Sequence, residues 1–488
     1  MLPAATSTNI APTSEAPNQK NDEPALLHRS LLTQPHLVTH AQGSYLHLAN
    51  GQKILDACGG AAVAIIGHGN QDVIAATTAQ MQTVSYVHTM SYTTTSAEEL
   101  ARSVLSRDNC PSFDHGLVRA YFVGSGSEAN DAAMKIARQY WFELGGGCTS
   151  RKTYVSRRGG YHGNTTGAMS ISGNVARKKP YLDTILPNVS LVSPAFAYRF
   201  QRTEDGETDE IYAARLVKEL EDEFLRLGSD TVIMFSGETM VGATSGCVGA
   251  PRGYWKGVRE VCDRHGVLLH LDEVMCGTGR TGTYFAFEQE GIRPDIVTLG
   301  KGLGGGYIPI AAMLVSEKII AGLRKGSSAF NHGHTYQAHP VACAAALAVQ
   351  KVIKGERLIE HCAVQGKRLE ALLRQTFAGC KYVGDIRGAG LFWAVEFVED
   401  RNSKRPFHPG VGFGAAVHQA TFDQGVAIYP GAGTVDGERG DHVLLAPPYN
   451  VTNDELETIV RTLKKAYDLV EQKQTDLAID SRSRALYR

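Results

Sequence analysis

The sequence predicts an α/β protein, in which a large domain with a mostly parallel sheet flanked by helices is joined to a smaller α+β domain. Three observations predict this. At 488 residues the chain exceeds one ordinary domain and can bury a large core plus a second lobe. From about residue 96 to 330, short apolar runs rich in β-branched residues alternate with helical patterns, the signature of a sheet covered on both faces. Beyond an Ala-rich helix at Val341 to Ile353 the pattern changes to that of a second lobe.

Taken in order, His36–Thr39, Ser44–Leu48 and Lys53–Leu55, punctuated by Gly43 and Asn50-Gly51, read as a small antiparallel sheet, and a helix follows near 70–84. Strands of the large sheet are expected at Arg119–Val123, Thr153–Ser156, Ser190–Val192, Thr231–Phe235, Val267–Leu271, Ile296–Leu299 and Ala311–Val315. Helices such as Ile211–Leu227 and Tyr254–His265 lie between them. The last lobe has a helix at Gln365–Phe377, then strands near Tyr382–Ile386, Leu391–Phe397, Val426–Tyr429 and His442–Leu445. A final helix runs from Asn453 to Leu469. The division expected is a disordered tail over 1–24, the N-terminal part of the small domain over 25–85, the large domain over 86–335 and the rest of the small domain over 336–480. The tail is Pro-, Ser-, Thr- and Asn-rich and holds too little apolar surface to fold.

An apolar content of 43% with 20% charged residues is ordinary for a globular enzyme. A net charge of −1 gives no global field toward nucleic acid or an anionic membrane, and neither partner is expected. No apolar run approaches the ~20 residues that cross a bilayer. The nine cysteines are scattered without a CxxC pair, which fits a reducing compartment. Residues 1–24 lack Arg and an apolar segment, so neither a transit peptide nor a secretion signal is read and a cytoplasmic location is expected.

In such sheets ligands bind beyond the carboxyl ends of the strands, and there the sequence concentrates its chemistry. Asp272 ends one apolar run and Lys301, between Gly300 and Gly302, follows another. A carboxylate to hold a pyridine nitrogen protonated and a lysine to form an imine are what a pyridoxal phosphate (PLP) enzyme needs. A capping carboxylate and a loop lysine are the plainer readings, but a lysine directly after a buried strand is out of place unless used. The spacing is not that of a phosphate-binding Walker loop, because Gly302 stands where Ser or Thr should be. Gly124-Ser125-Gly126-Ser127-Glu128 follows a strand and opens a helix. Its free amides suit a phosphate, and Ser125 with Glu128 fits a capping box. Tyr161 can stack on a ring face that Val274 closes from the other side. His162 taken alone reads as a structural histidine. His332 and His334 share one side of a strand-like segment without a third ligand nearby, so a metal site is not expected. The same loop presents Thr335.

Together these residues resemble the class III aminotransferases, PLP enzymes of fold type I. The resemblance covers about residues 36 to 470. It rests on GSGSEAN (124–130), YHG (161–163), the glutamate of SGETMVG (Glu238), LDEV (271–274), GKGLGGGY (300–307), HGHTYQAHPVA (332–342), DIRGAGLFWAVEF (385–397) and LLAPPYNVT (444–452), in that order. It implies a small domain built from both chain ends and Lys301 as the catalytic residue that carries PLP and shuttles the proton. It further implies Asp272 on the pyridine nitrogen, Ser125, Gly126 and Ser127 on the phosphate, and Tyr161 and Val274 about the ring. His162 and Glu238 are implied beside the cofactor, and Thr335 at the phosphate of a neighbouring subunit in a homodimer. Gly124, where relatives often have Asn or Thr, and Thr239, where many have Pro, depart from the pattern. Substrate binding falls to Arg439, shortly before the PP segment, with Arg387 and Arg280 as alternatives.

The activity expected is transfer of an amino group from a primary amine or ω-amino acid to a 2-oxo acid or aldehyde, by a ping-pong route. A decarboxylase, aminomutase or racemase on the same scaffold is the alternative within the cofactor class. A catalytically silent scaffold protein is the alternative outside it.

Overall fold

The computed structural model describes residues 25–486, so the tail expected over 1–24 lies outside the described residues. Strands β1 (Val38–Gln42), β2 (Tyr45–Leu48) and β3 (Lys53–Asp56) form an antiparallel meander. Its two turns carry Gly43 and Gly51 at φ +54° and +87°, a region open mainly to glycine.

The main sheet takes β4 (Leu117–Val123), β5 (Thr153–Arg157), β6 (Val189–Val192) and β7 (Val232–Glu238). A hairpin of β8 (Met240–Val241) and β9 (Val248–Gly249) follows, and the sheet is completed by β10 (Leu268–Asp272), β11 (Ile296–Leu299) and β12 (Ala311–Ser316). The seven strands lie in the order β4-β12-β11-β10-β7-β5-β6. Only β12 runs against its neighbours, so the expected mostly parallel sheet is the one observed. β7 and β10 are buried at every position because helices cover both faces, which is why these runs are continuously apolar rather than alternating. Helix Gly126–Leu144 covers one face with Ala129, Ala132, Ala133, Ile136, Ala137 and Tyr140, spaced as one apolar stripe.

The smaller lobe contains β13 (Val383–Ala389), β14 (Phe392–Phe397), β15 (Val426–Ala427), β16 (Tyr429–Ala432) and β17 (Asp441–Leu445). Four of these form an antiparallel sheet in the order β13-β14-β17-β16. β15 instead pairs parallel with β3, setting Val426 against Leu55, so both chain ends build this lobe. Between the two lobes runs helix Pro340–Gly355. It gives Ala342, Cys343, Ala346 and Leu347 to the core under the main sheet, and Ala345, Ala348, Val349 and Val352 to the core of the smaller lobe.

Two helices are longer than the sequence patterns suggested. Helix Leu358–Thr376 passes through Gly366, where the expected helix only began. A Cβ there would lie 2.2 Å from the Gly390 carbonyl, so the glycine serves close packing rather than helix termination. Helix Asn453–Leu486 runs past Leu469 because no Gly or Pro stops it.

A buried charge cluster ties the lobes together. The fully buried Glu396 carboxylate of β14 meets Arg199 and, at 2.6 Å, Arg387; Arg387 also donates to the carbonyls of Ser245 and Gly246 at 2.5 and 2.6 Å. Arg387 therefore braces the lobes. Burial alone would raise the Glu396 pKa, but the two guanidinium groups hold it below the usual range. Glu396→Gln leaves the enclosed Arg199 without its counter-charge and Arg387 with Asp385 alone, and a loss of about 3–5 kcal/mol in urea unfolding is expected. An unchanged urea midpoint would show that the cluster contributes nothing to stability.

Candidate active site

The strand register assembles the site. Asp272 at the end of β10 lies beside Glu238 of β7 and Thr298 of β11. Beyond the same carboxyl edge come Ser125–Ser127 after β4, Tyr161 and His162 after β5, and Lys301 after β11. Residues scattered over some 180 positions thus meet because parallel strands all point one way.

Asp272 is enclosed and fully engaged. Its Oδ2 accepts from Asn130 Nδ2 at 2.9 Å and from His162 Nδ1 at 2.8 Å; its Oδ1 accepts from the Val274 amide at 3.0 Å. Burial by itself raises its pKa, but the hydrogen bond and charge of His162 and the hydrogen bond from the Val274 amide outweigh that and keep it below the ordinary carboxylate value. It is therefore an anion, and since an ionised carboxylate only accepts, His162 Nδ1 carries the proton that it donates. His162 Nε2 is buried without a partner among the described residues.

Behind Asp272 lies a polar chain that sequence reasoning missed. Thr298 Oγ1 donates to Asn130 Oδ1 at 2.8 Å. His270 touches Thr298 Oγ1 at 3.2 Å through Nε2, and Ser236 Oγ at 3.1 Å through Nδ1. Burial pushes the His270 pKa down to about 3, so the ring is neutral. Since Thr298 spends its proton on Asn130, His270 Nε2 must donate and Nδ1 must accept. Every member then has one possible role, and the chain fixes the Asn130 amide so that its Nδ2 faces Asp272. Two signals were available: Asn130 is a polar residue on an apolar helix face, and His270 interrupts an apolar strand.

Lys301 has φ +44°, in the left-handed region that costs a non-glycine residue energy and that clusters at functional sites. Its Nζ donates to the Ala61 carbonyl at 2.9 Å. Burial lowers its pKa to about 8; Glu238 and Asp272 oppose the shift, while Arg177 and Arg280 add to it. A large neutral fraction near pH 8 makes this amine a nucleophile and base. Glu238 accepts from the Tyr161 amide at 2.9 Å and the Gly242 amide at 3.0 Å. Thr239 donates through Oγ1 to the buried Glu273 at 2.8 Å and so anchors the strand end.

The Ser125–Glu128 capping box is present: Ser125 Oγ accepts from the Glu128 amide at 3.3 Å, and Glu128 accepts from the amides of Gly124 and Ser125 at 2.7 and 3.2 Å. With the Glu128 amide spent on Ser125 Oγ, an anion at this turn would meet Gly126, Ser127 and the Ser125 hydroxyl proton. Space requires glycine at two points. A Cβ on Gly126 would meet Val274 at 2.8 Å, and one on Gly163 (φ +135°) would meet Ser127 Oγ at 2.5 Å.

Two predicted residues stand apart. Thr335 is exposed, and its carbonyl accepts from the Tyr86 hydroxyl at 3.0 Å. Arg439 is exposed and paired with Asp436 at 2.7 Å. Arg280 is buried, donating to the carbonyls of Leu391 and Pro447 at 3.0 and 2.6 Å.

A helix N-terminus, an enclosed anion held by three donors and a lysine of lowered pKa are the donor set that a phosphorylated, pyridine-based aldehyde requires. The residues fit PLP.

Comparisons agree with this geometry. The family model for aminotransferase class-III matches residues 28–467. An uncharacterised aminotransferase of Schizosaccharomyces pombe is 45% identical over 94% of this chain and 98% of its own. Gamma aminobutyrate transaminase 3 of Solanum lycopersicum is 31% identical over 92% of this chain and 84% of its own. An amine transaminase from an uncultivated Pseudomonas species, solved in its PLP-bound form, superposes with a TM-score of 0.83 at 30% identity, covering 96% of this chain and 99% of that one. With its fold, its strand-end residues and these relatives in agreement, the chain belongs to the class III aminotransferases and catalyses PLP-dependent transamination.

Proposed function

We propose that the residues at the strand ends divide the work as follows, with an amine or ω-amino acid as donor and a 2-oxo acid or aldehyde as acceptor. Lys301 binds the cofactor and its Nζ takes the proton from the substrate's amino-bearing carbon and returns it. Asp272 holds the ring nitrogen protonated, with His162 and Asn130 fixing its carboxylate. Ser125, Gly126 and Ser127 bind the phosphate; Tyr161 and Val274 flank the ring, and Glu238 lies beside it. Bound PLP supplies the electron sink that stabilises negative charge at the substrate carbon. The observation that carries this reading is the buried pair of Asp272 and Lys301, an assured anion and a half-neutral amine at adjoining strand ends. A donor screen with pyruvate, 2-oxoglutarate and an aldehyde as acceptors tests it. Failure of every amine and ω-amino acid to pass nitrogen to any acceptor would overturn the donor class.

Arg439 is proposed to release Asp436 and pair with the acceptor's α-carboxylate. Arg439→Ala is expected to raise the KM for 2-oxo acids about 10-fold or more, the worth of one charge-assisted hydrogen bond, with a smaller effect on an aldehyde. Equal effects on both acceptors in steady-state assays would remove Arg439 from this role.

A homodimer completed by Thr335 at the partner's phosphate is supported by the exposed apolar surface around it. Tyr336 and Tyr86 are 68% and 39% exposed and meet edge to face. Sedimentation should give twice the mass of one chain. A cytoplasmic location is supported by cysteines that, among the described residues, are all free and buried. No described helix is long and apolar enough to cross a membrane.

A further inference from the structure

Arg177 belongs to none of the sequence motifs, yet the fold sets it against the site. Its guanidinium carbon lies 4.7 Å from the centroid of the Tyr161 ring. The short turn that bears it is pinned from several directions. Asn174 accepts from the Arg177 amide at 3.2 Å, and the amides of Gly173 and Asn174 donate to the Gly160 carbonyl at 2.9 and 3.1 Å. The buried Lys178 Nζ donates to the carbonyls of Ser170 and Ser172 at 3.1 and 2.8 Å. The backbone that carries Arg177 is thus fixed beside Tyr161, which is part of what a preorganised binding group needs.

Its partners are the second point. Arg199, Arg387 and Arg439 each meet a carboxylate. Arg177 is half-buried and has an aromatic face beneath it, but no carboxylate partner among the described residues. A planar guanidinium in that position still has a fork of N–H donors shaped for a carboxylate. Its charge also reaches Lys301, where it helps to lower the amine's pKa, so it lies within the electrostatic range of the reacting centre. The loop that carries Arg439 borders the same turn: a Cβ on Gly437 would lie 3.4 Å from the Val175 amide nitrogen.

We propose that Arg177 is a specificity-determining residue that grips a carboxylate of the substrate, so that the enzyme selects carboxylate-bearing donors and acceptors over neutral ones of the same length. This deepens the proposed donor and acceptor classes and rests on them.

The test compares wild-type and Arg177→Leu holoenzyme on pairs in which a methyl replaces the carboxylate: alanine with isopropylamine, and 4-aminobutyrate with butylamine. Butyrate, which cannot react, is titrated calorimetrically as a second readout. The kcat/KM ratio of carboxylate-bearing to neutral donor should fall about 10–100-fold in the variant, mainly through KM, and butyrate should bind weaker by a similar factor. Arg177→Lys should recover part of both. Whichever pair responds shows whether the α- or the distal carboxylate is held. If Arg177 only steadies Tyr161, both members of each pair lose kcat alike and butyrate affinity stays unchanged, which overturns the proposal. A wild type that passes nitrogen from no donor overturns the donor class instead, and butyrate binding still decides the role of Arg177. Should Arg177→Leu fail to fold, Arg177→Gln gives the same comparison.

Discussion

Lys301→Ala is expected to lower transamination about 10⁴-fold or more, because one side chain provides both the nucleophile for the cofactor and the base for the proton. The two roles separate by experiment. Added methylamine can carry a proton but not restore a tethered group, so partial rescue of turnover would report the base alone. The pH dependence has a definite sign. Only the neutral amine attacks a carbonyl, and the Lys301 pKa is lowered by burial to about 8. Reloading of the apoenzyme with PLP should therefore quicken as pH rises toward about 8 and level off above it. An ordinary lysine near 10.5 would keep quickening well beyond that point. Turnover in Lys301→Ala within tenfold of wild type would refute the assignment.

Asp272→Asn is expected to cost about 10²–10³-fold in kcat, the usual effect of deleting one preorganised electrostatic group. The substitution is nearly isosteric, so the loss reads charge rather than shape. It also has a structural cost. Three donors converge on the Asp272 carboxylate, from Asn130, His162 and Val274. An asparagine offers one acceptor oxygen in place of two, and its own amide hydrogens then face donors. A buried donor left without a partner costs about 1–3 kcal/mol. Both a lower melting temperature and a weaker hold on PLP should accompany the kinetic defect. A variant with wild-type kcat would mean that the ring nitrogen needs no anion here.

Much of this was legible in the sequence because the chemistry lies in short motifs at strand ends. Asp272 follows an apolar run and Lys301 another, and a parallel sheet brings the ends of such runs to one edge whatever their distance along the chain. The seven main strands were recognisable as short apolar runs alternating with helical patterns. What escaped reading depends on contacts between strands and helices far apart in sequence. Asn130 supports Asp272 across 142 positions, and Thr298 supports Asn130 across 168. Arg177 lies in the single-turn helix Val175–Lys178, too short for periodicity to mark an inward face. The parallel pairing of β15 with β3 joins residues near 426 and 55, and no local pattern encodes such a match. The helix expected from Gln365 begins seven residues earlier, at Leu358, and the role of Gly366 within it could not be read because the group it packs against, the carbonyl of Gly390, lies in another element.

Helix Pro340–Gly355 belongs to two hydrophobic cores at once. A wall shared in this way removes the independence of the rooms on either side. Neither lobe can lose its packing without stripping apolar surface from the other, so the two should melt in a single cooperative transition, and a fragment ending near residue 335 would expose half an interior. The same sharing couples displacement of the smaller lobe to the floor of the main sheet. Closure over a substrate is then confined to motions that rock about this helix and leave both of its faces covered.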